Sequence, residues 1–358
     1  MSRLFNLDGY LILAQLLLTG LSLLIIESVI PELFSQQLVW VIISFTVYFL
    51  LSFVDYRIYV RYSKLVYVVT IIALILPFIF GAVTRGSQRW LQIGPAMLQP
   101  SELAKPLLIL FFAALFSKES AISYRKLSLG ITLISVPVLL VFKQPDLGTA
   151  TVLFLSFLGI LFASKVSWKI IFSLLSALVV ATPLSWFLAK DYQRQRLLSF
   201  LSPLSDPLGS GYHVIQAKVA VGAGQLFGRG LGKGTQSHLR FLPEKHTDFI
   251  FASLAEELGF LGSLCVLALF GLLLQRILKI GENSRDQFGF LVCIGVFFLI
   301  FCQSFINIGI NLGLLPVTGI TLPLLSYGGS SLLATTICLG IVQNVAKQSL
   351  AKKVIEIK

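Results

Sequence analysis

The sequence predicts an all-α membrane protein that crosses a bilayer many times. Three observations carry this. Its 358 residues are 56% apolar and only 12% charged. Mean hydropathy is +0.89. Runs of about 20 apolar residues, each long enough to cross about 30 Å of hydrocarbon, recur from end to end. A membrane β-barrel would show a series of short segments of alternating polarity instead.

Ten spans are expected, over residues 10–30, 37–54, 65–83, 102–116, 127–142, 148–163, 167–189, 248–275, 287–311 and 327–346. They form one integral membrane domain, residues 1–358. Only Arg3 precedes the first span, which lacks a small-residue cleavage site, so it reads as an uncleaved span that also serves targeting. Arg57, Arg61 and Lys64 separate the second and third spans. Lys118, Arg125 and Lys126 follow the fourth, and Lys165 and Lys169 follow the sixth. Arg276, Lys279 and Arg285 join the eighth to the ninth, and Lys347, Lys352, Lys353 and Lys358 close the chain. The opposite loops 31–36 and 312–326 hold no Lys or Arg, and 143–147 holds only Lys143. Positive residues mark the cytoplasmic side, so both termini are expected there.

The net charge of +12 would point to nucleic acid in a soluble protein. Here it follows the short loops between spans, and no nucleic-acid partner is expected. Cys265, Cys293, Cys302 and Cys338 lie in apolar runs without metal-ligand spacing and read as small buried hydrophobes. The sequence requires no cofactor and leaves room for a divalent cation.

Two outer segments depart from the charge pattern. Residues 84–101 contain Arg85 and Arg89, and the long loop 190–247 carries eight Lys or Arg residues. Long loops translocate largely regardless of charge, so the topology stands. The positive field suits either an anionic partner or lipid headgroups. Within the loop, residues 211–227 are apolar but too short for an ordinary span, and an interfacial or re-entrant helix is expected. The following GRGLGKGT (228–235) fails as a phosphate-binding loop, because Lys233 precedes Gly234 rather than Ser or Thr.

The chemistry centres on Phe241–Gly259, FLPEKHTDFIFASLAEELG. Asp248, Glu256 and Glu257 enter an otherwise apolar stretch, and carboxylates at membrane depth are costly unless they function. Asp248 reads either as a cap for the eighth span or as a working carboxylate. On one helix Glu256 lies about 12 Å deeper, at about 1.5 Å per residue. It is turned roughly 80° from Asp248, and Glu257 points the opposite way, so no two-carboxylate glycosidase pair is formed.

In QPSELAK (Gln99–Lys105), Ser101 reads as a helix cap, and Glu102 with Lys105 as an i,i+3 pair. Lys105 is also a candidate partner for Asp248, which would then be ionised at neutral pH. In QPDLGT (Gln144–Thr149), capping of the sixth span suffices to explain Asp146. Gln303, Asn307 and Asn311 form an i, i+4, i+8 polar stripe, read as packing between helices. The loop LPVTGITLPLLSYGGSS (Leu315–Ser331) is irregular and apolar, as backbone lining a site would be.

These motifs, in order and over nearly the whole chain, resemble the SEDS family (shape, elongation, division and sporulation proteins). GTQSHLRFLPEKHTDF is similar to the RodA branch rather than to FtsW. The resemblance implies a transmembrane glycosyltransferase of the GT-C kind that polymerises lipid II outside the cytoplasmic membrane. It implies Asp248 as the catalytic residue and Lys105 as its partner. Arg85 and Arg89 are implied to hold substrate, and the expected substrate-binding set continues with Glu102, Asp146, His246, Ser326 and Ser330. A class B penicillin-binding protein, a single-span transpeptidase, is the expected partner alongside membrane lipids. A lipid II transporter is the alternative, since buried charges and polar stripes serve translocation too.

Overall fold

The computed structural model describes residues 7–356 apart from 85, 86, 95, 119–121, most of 168–209, 240 and 243. Helices α1 (Gly9–Val29), α2 (Phe34–Phe53) and α3 (Ser63–Phe80) form the first three spans. After them come α4 (Pro100–Phe116), α5 (Tyr124–Lys143) and α6 (Leu147–Ala163). The short α7 (Ser210–Ala223) precedes α8 (Ile250–Glu282), α9 (Gln287–Asn311) and α10 (Gly329–Glu356). Among the described residues, seven helices (α1, α2, α3, α5, α8, α9 and α10) are long and apolar enough to cross a membrane. α4 and α6 have 17 residues each, which at 1.5 Å per residue cover about 26 Å. The span expected over 167–189 lies largely outside the described residues.

The helices bury one large core, with a second, smaller cluster of Ala217, Ala220, Leu242, Phe249, Ala252 and Ile310, and leave leucines, valines and phenylalanines on the outside. Leu13, Val39, Ile42, Leu65, Ile79 and Phe305 are all exposed, as suits side chains facing lipid. Where helices meet closely, small residues stand between them. α10 packs along α2; a Cβ at Gly340 would already lie 2.9 Å from the Tyr48 carbonyl. Tyr48 Oη donates to Gln343 Oε1 at 2.9 Å across the same contact. Cys293, Cys302 and Cys338 are buried as expected, but Cys265 is exposed on α8. Lipid is as apolar as the core, so the sequence does not separate the two positions.

Two departures from the sequence reading shape the rest of the molecule. First, the outer segment expected over 84–101 carries regular structure. Residues 82–98 form an antiparallel sheet in the order β1 (Ala82–Thr84), β2 (Ser87–Ile93), β3 (Ala96–Leu98). Leu91 faces Leu98 and Gln92 faces Met97, with Gly94 at φ 59 in the connecting turn. The alternation of SQRWLQI is a strand signal, but it is too short to stand out in a chain of apolar helices.

Second, α8 is interrupted at Gly259, whose φ and ψ are 70° and −164°. The segment after α7 inserts into the break. Phe260 N donates to Gln225 O at 2.8 Å, and Leu261 N to Leu226 O at 3.1 Å. Arg229 N and Gly230 N in turn donate to the freed carbonyls of Glu256 and Glu257 at 2.9 and 3.0 Å. A Cβ at Gly259 would sit 2.2 Å from Gly228 N, so only glycine fits. Backbone from outside the helix thus replaces part of its ladder, a recognised cause of a sharp kink.

Candidate active site

The polar side chains gather at one end of the bundle, where α4, α6, α8 and α10 begin and α3, α5 and α9 end. Asp248 lies in the turn 244–249 that leads into α8. It stands one residue before the cap position, Phe249, whose own side chain makes no cap bond. The main chain of Asp248 is held by the α9 stripe. Asn307 Nδ2 and Asn311 Nδ2 both donate to the Asp248 carbonyl at 2.9 Å. Asn311 Oδ1 also accepts from Ala252 N at 2.9 Å, and Asn307 Nδ2 reaches Ile320 O at 2.7 Å. The stripe does join elements, as expected, and the element it secures is the Asp248 turn.

The loop 312–328 closes the other side. Ser326 Oγ donates to Thr247 O at 2.6 Å and accepts from Leu322 N at 2.8 Å. Tyr327 N donates to His246 O at 2.8 Å, and the two rings meet edge to face at 5.5 Å. Gly319, at φ 74, turns the backbone beside the carboxylate. A Cβ there would lie 3.7 Å from Asp248 Oδ2. Leu324 is buried with φ 63, a strained conformation for a branched side chain that the packed loop maintains.

The start of α10 and the same loop touch the α4 and α6 starts. Gln99 N donates to Ser330 Oγ at 3.0 Å. Gln99 Nε2 donates to Asp146 Oδ2 at 2.8 Å and to Ser101 Oγ at 3.0 Å. Asp146 does cap α6, accepting from Thr149 N at 3.1 Å, and Arg89 Nη1 of β2 stands 3.9 Å from its Oδ2. Burial holds the Asp146 carboxyl above its ordinary range, and Arg89 offsets part of that rise. A Cβ at Gly148 would lie 2.9 Å from Thr318 O, so α6 seats directly against the loop that borders Asp248. Arg89, Asp146, Ser330, Ser326, His246 and Asp248 thus belong to one connected cluster. Arg85 lies outside the described residues.

Lys105 pairs with Glu102 of its own helix at 2.5 Å, the i,i+3 pair that the sequence leads one to expect. Both partners are buried. The i,i+3 spacing puts the carboxylate within reach without any tertiary arrangement. Below the pair lie Leu108, Ile109, Phe112, Leu153 and Phe157. Glu256 and Glu257 take a supporting part. Glu256 accepts from Gln236 N, Ser237 N and Ser237 Oγ at 2.8, 3.0 and 2.8 Å. Glu257 accepts from Ser28 Oγ at 2.7 Å and bonds His238 Nε2 at 2.8 Å. Ser237 O in turn accepts from Lys245 Nζ, three residues before Asp248. Gln99 was missed as a site residue by the sequence reading; its signal is a polar side chain immediately before the helix-starting Pro100. Among the described residues no three His, Cys, Asp or Glu side chains converge on a metal-sized site.

The fold and cluster define a multi-pass membrane protein with a fixed carboxylate, an arginine and several hydroxyls at one end of the bundle. The FtsW/RodA/SpoVE family model of cell cycle proteins matches residues 9–351, and the chain belongs to that family. It is 45% identical over 291 residues to the peptidoglycan glycosyltransferase MrdB of Escherichia coli K12, covering 81% of this chain and 79% of that one. A solved peptidoglycan synthase complex, described for its structural coordination of polymerization and crosslinking, contains a similar chain. The match has a TM-score of 0.85 at 31% identity, over 96% of this chain and 99% of that one. The crystal structure of the Thermus thermophilus rod shape determining protein RodA matches with a TM-score of 0.73 at 29% identity, over 96% and 98%.

Proposed function

We propose that this chain is a peptidoglycan glycosyltransferase that polymerises lipid II for cell-wall elongation, with Asp248 as the general base. The observation that carries the reading is the clamp on Asp248. Asn307, Asn311 and Ser326 fix the backbone of residues 247 and 248, beside the Gly319 turn of the 312–328 loop. A carboxylate fixed this way can take a proton without the backbone rearranging. Family membership and the peptidoglycan glycosyltransferase among its relatives supply the reaction.

The step follows from the bonds to be made. The 4-hydroxyl of the acceptor sugar attacks the anomeric carbon of the lipid-linked donor, and its proton passes to the Asp248 carboxylate. The bond from that carbon to the undecaprenyl pyrophosphate oxygen breaks, and the leaving group takes the electron pair. One displacement inverts an α-linked donor into a β-1,4 product. General-base help of this kind is worth about 10²–10⁴ in rate. The departing pyrophosphate needs cations, and Arg89, with Arg85 beside it in sequence, is placed to supply them. Asp146 and Gln99 orient Arg89 and the α4 start, while Ser330, Ser326 and His246 shape the loop over the donor. Lys105 neutralises Glu102 behind this layer.

The membrane is the bacterial cytoplasmic membrane, with both termini inside and the site on the extracytoplasmic face, as the loop charges favour. The partner is a single-span class B penicillin-binding protein; the similar chain in the synthase complex supports that choice. Transport has less support, because the Glu102–Lys105 pair is mutually neutralised above an apolar layer. The test is glycan-chain synthesis from purified lipid II by the purified chain, with and without the transpeptidase. Glycan made by wild type and lost in Asp248→Asn supports the enzyme, and lipid II flipping without polymer supports the transporter.

A further inference from the structure

The opposite end of the bundle carries a second feature that the proposed reaction does not use. α1 and the last turns of α8 diverge there around a cleft of about 380 Å³. Tyr10, Leu13 and Leu17 line it from α1, and Leu272, Arg276 and Lys279 from α8. The spacing places Leu13 and Leu17 on one face of α1. It likewise sets Leu272, Arg276 and Lys279 in line along α8. The cleft is therefore graded, with leucines toward the bilayer interior and two cations with a tyrosine at the mouth.

The cations are arranged differently from each other. Arg276 is braced: its Nε donates to both Asp8 oxygens at 2.9 and 2.8 Å, its Nη2 bonds Asp8 as well, and its guanidinium lies 5.2 Å from the Tyr10 ring centre. Asp8 is itself committed, since it caps α1 by accepting from Leu11 N at 3.0 Å. Lys279, one helical turn further out, is exposed and has no acidic partner among the described residues. By contrast, Arg57 at the same end is paired with Asp286 at 3.3 Å. The cleft mouth thus keeps a positive charge with no acidic partner among the described residues, above an apolar groove.

We propose that this cleft binds one anionic glycerophospholipid, its phosphate on Lys279 and the outer edge of Arg276 and one acyl chain along Leu13, Leu17 and Leu272. Charge complementarity selects the occupant. A zwitterionic lipid brings its own cation to Lys279, and a transmembrane helix brings no anion to the mouth. Basic pockets between membrane helices at the cytoplasmic end bind anionic headgroups for the same reason. Tyr10 suits the level of the headgroups, where aromatic rings are favoured. The site ties α1 to α8, the helix that begins beside Asp248 at its other end, and it is independent of the assignment of the reaction.

Native mass spectrometry of the full detergent-purified chain, titrated with phosphatidylglycerol or phosphatidylcholine, tests the proposal. Wild type is expected to take up one phosphatidylglycerol in preference to phosphatidylcholine. Lys279→Gln should weaken phosphatidylglycerol binding about fivefold, the factor one lysine at an anionic surface carries, and leave phosphatidylcholine unchanged. Leu272→Trp, which fills the groove from an exposed position, should reduce uptake of that first lipid without touching the charges. Arg61→Gln, at the same end but stacked on Tyr62 between α2 and α3, should change nothing. Equal loss in Arg61→Gln and Lys279→Gln, or equal binding of the two lipids by wild type, would overturn the site in favour of diffuse attraction to a basic surface. No phosphatidylglycerol uptake at all would overturn it too, and would leave the cleft to a protein partner.

Discussion

Asn311 holds Asp248 through the main chain: its Nδ2 donates to the Asp248 carbonyl while its Oδ1 accepts from Ala252 N, both at 2.9 Å. One amide side chain therefore fixes the residue proposed as the base and the first turn of the helix that follows. Asn311→Leu should strand the buried Ala252 N–H at a cost of about 1–3 kcal/mol and leave the Asp248 carbonyl to Asn307 alone. Displacement of the turn should lower polymerisation on the order of a hundredfold, the loss that a 1 Å misplacement can bring. Steady-state rates on lipid II, with melting in detergent as the control, measure the two effects separately.

Gly319 gives a second handle on the same carboxylate. Its φ of 74 leaves little room for substitution, and a Cβ there would sit in contact with Asp248 Oδ2 at 3.7 Å. Gly319→Val puts a β-branched residue into the left-handed region at a cost of about 1–3 kcal/mol. The variant should still insert in the membrane, seen by gel filtration, while activity is largely lost. Normal activity would mean that the loop does not border the reacting centre.

Asp146 separates capping from substrate work. Asparagine caps as well as aspartate, so Asp146→Asn should melt within about 0.5 kcal/mol of wild type. It should nonetheless loosen Arg89, which stands 3.9 Å from the carboxylate, and raise KM for lipid II more than it lowers kcat. Unchanged kinetics would leave Asp146 with its cap alone.

The Glu102–Lys105 pair makes a prediction about rescue. Lys105→Met leaves a buried carboxylate uncompensated and should cost about 3–5 kcal/mol. Adding Glu102→Gln should recover most of that stability. A double variant as unstable as the single one would show that Lys105 answers to some other group.

Much of this was legible in the sequence because lipid imposes a simple rule: apolar runs of a given length become spans. Asp248 stood out for the same reason, as a carboxylate where carboxylates are costly. What stayed hidden depends on tertiary contacts. The break at Gly259 exists only because residues 225–230 supply hydrogen bonds from elsewhere in the chain. By contrast, the Glu102–Lys105 pair is legible because i,i+3 spacing alone brings the two side chains together. The Asn307–Asn311 stripe was seen as packing, and its cargo, the Asp248 carbonyl, cannot be read from a helical period. The sheet at 82–98 escaped notice because strands of three and seven residues give little periodic signal.

The central claim is that Asp248 is the base, and Asp248→Asn tests it most directly. The substitution keeps the size of the side chain and the backbone clamp and removes the negative charge. With purified lipid II and the partner transpeptidase present, polymerisation should fall by about a hundredfold or more, while the protein stays folded and inserted. An Asp248→Asn protein that is well folded and polymerises lipid II at near the wild-type rate would contradict the account.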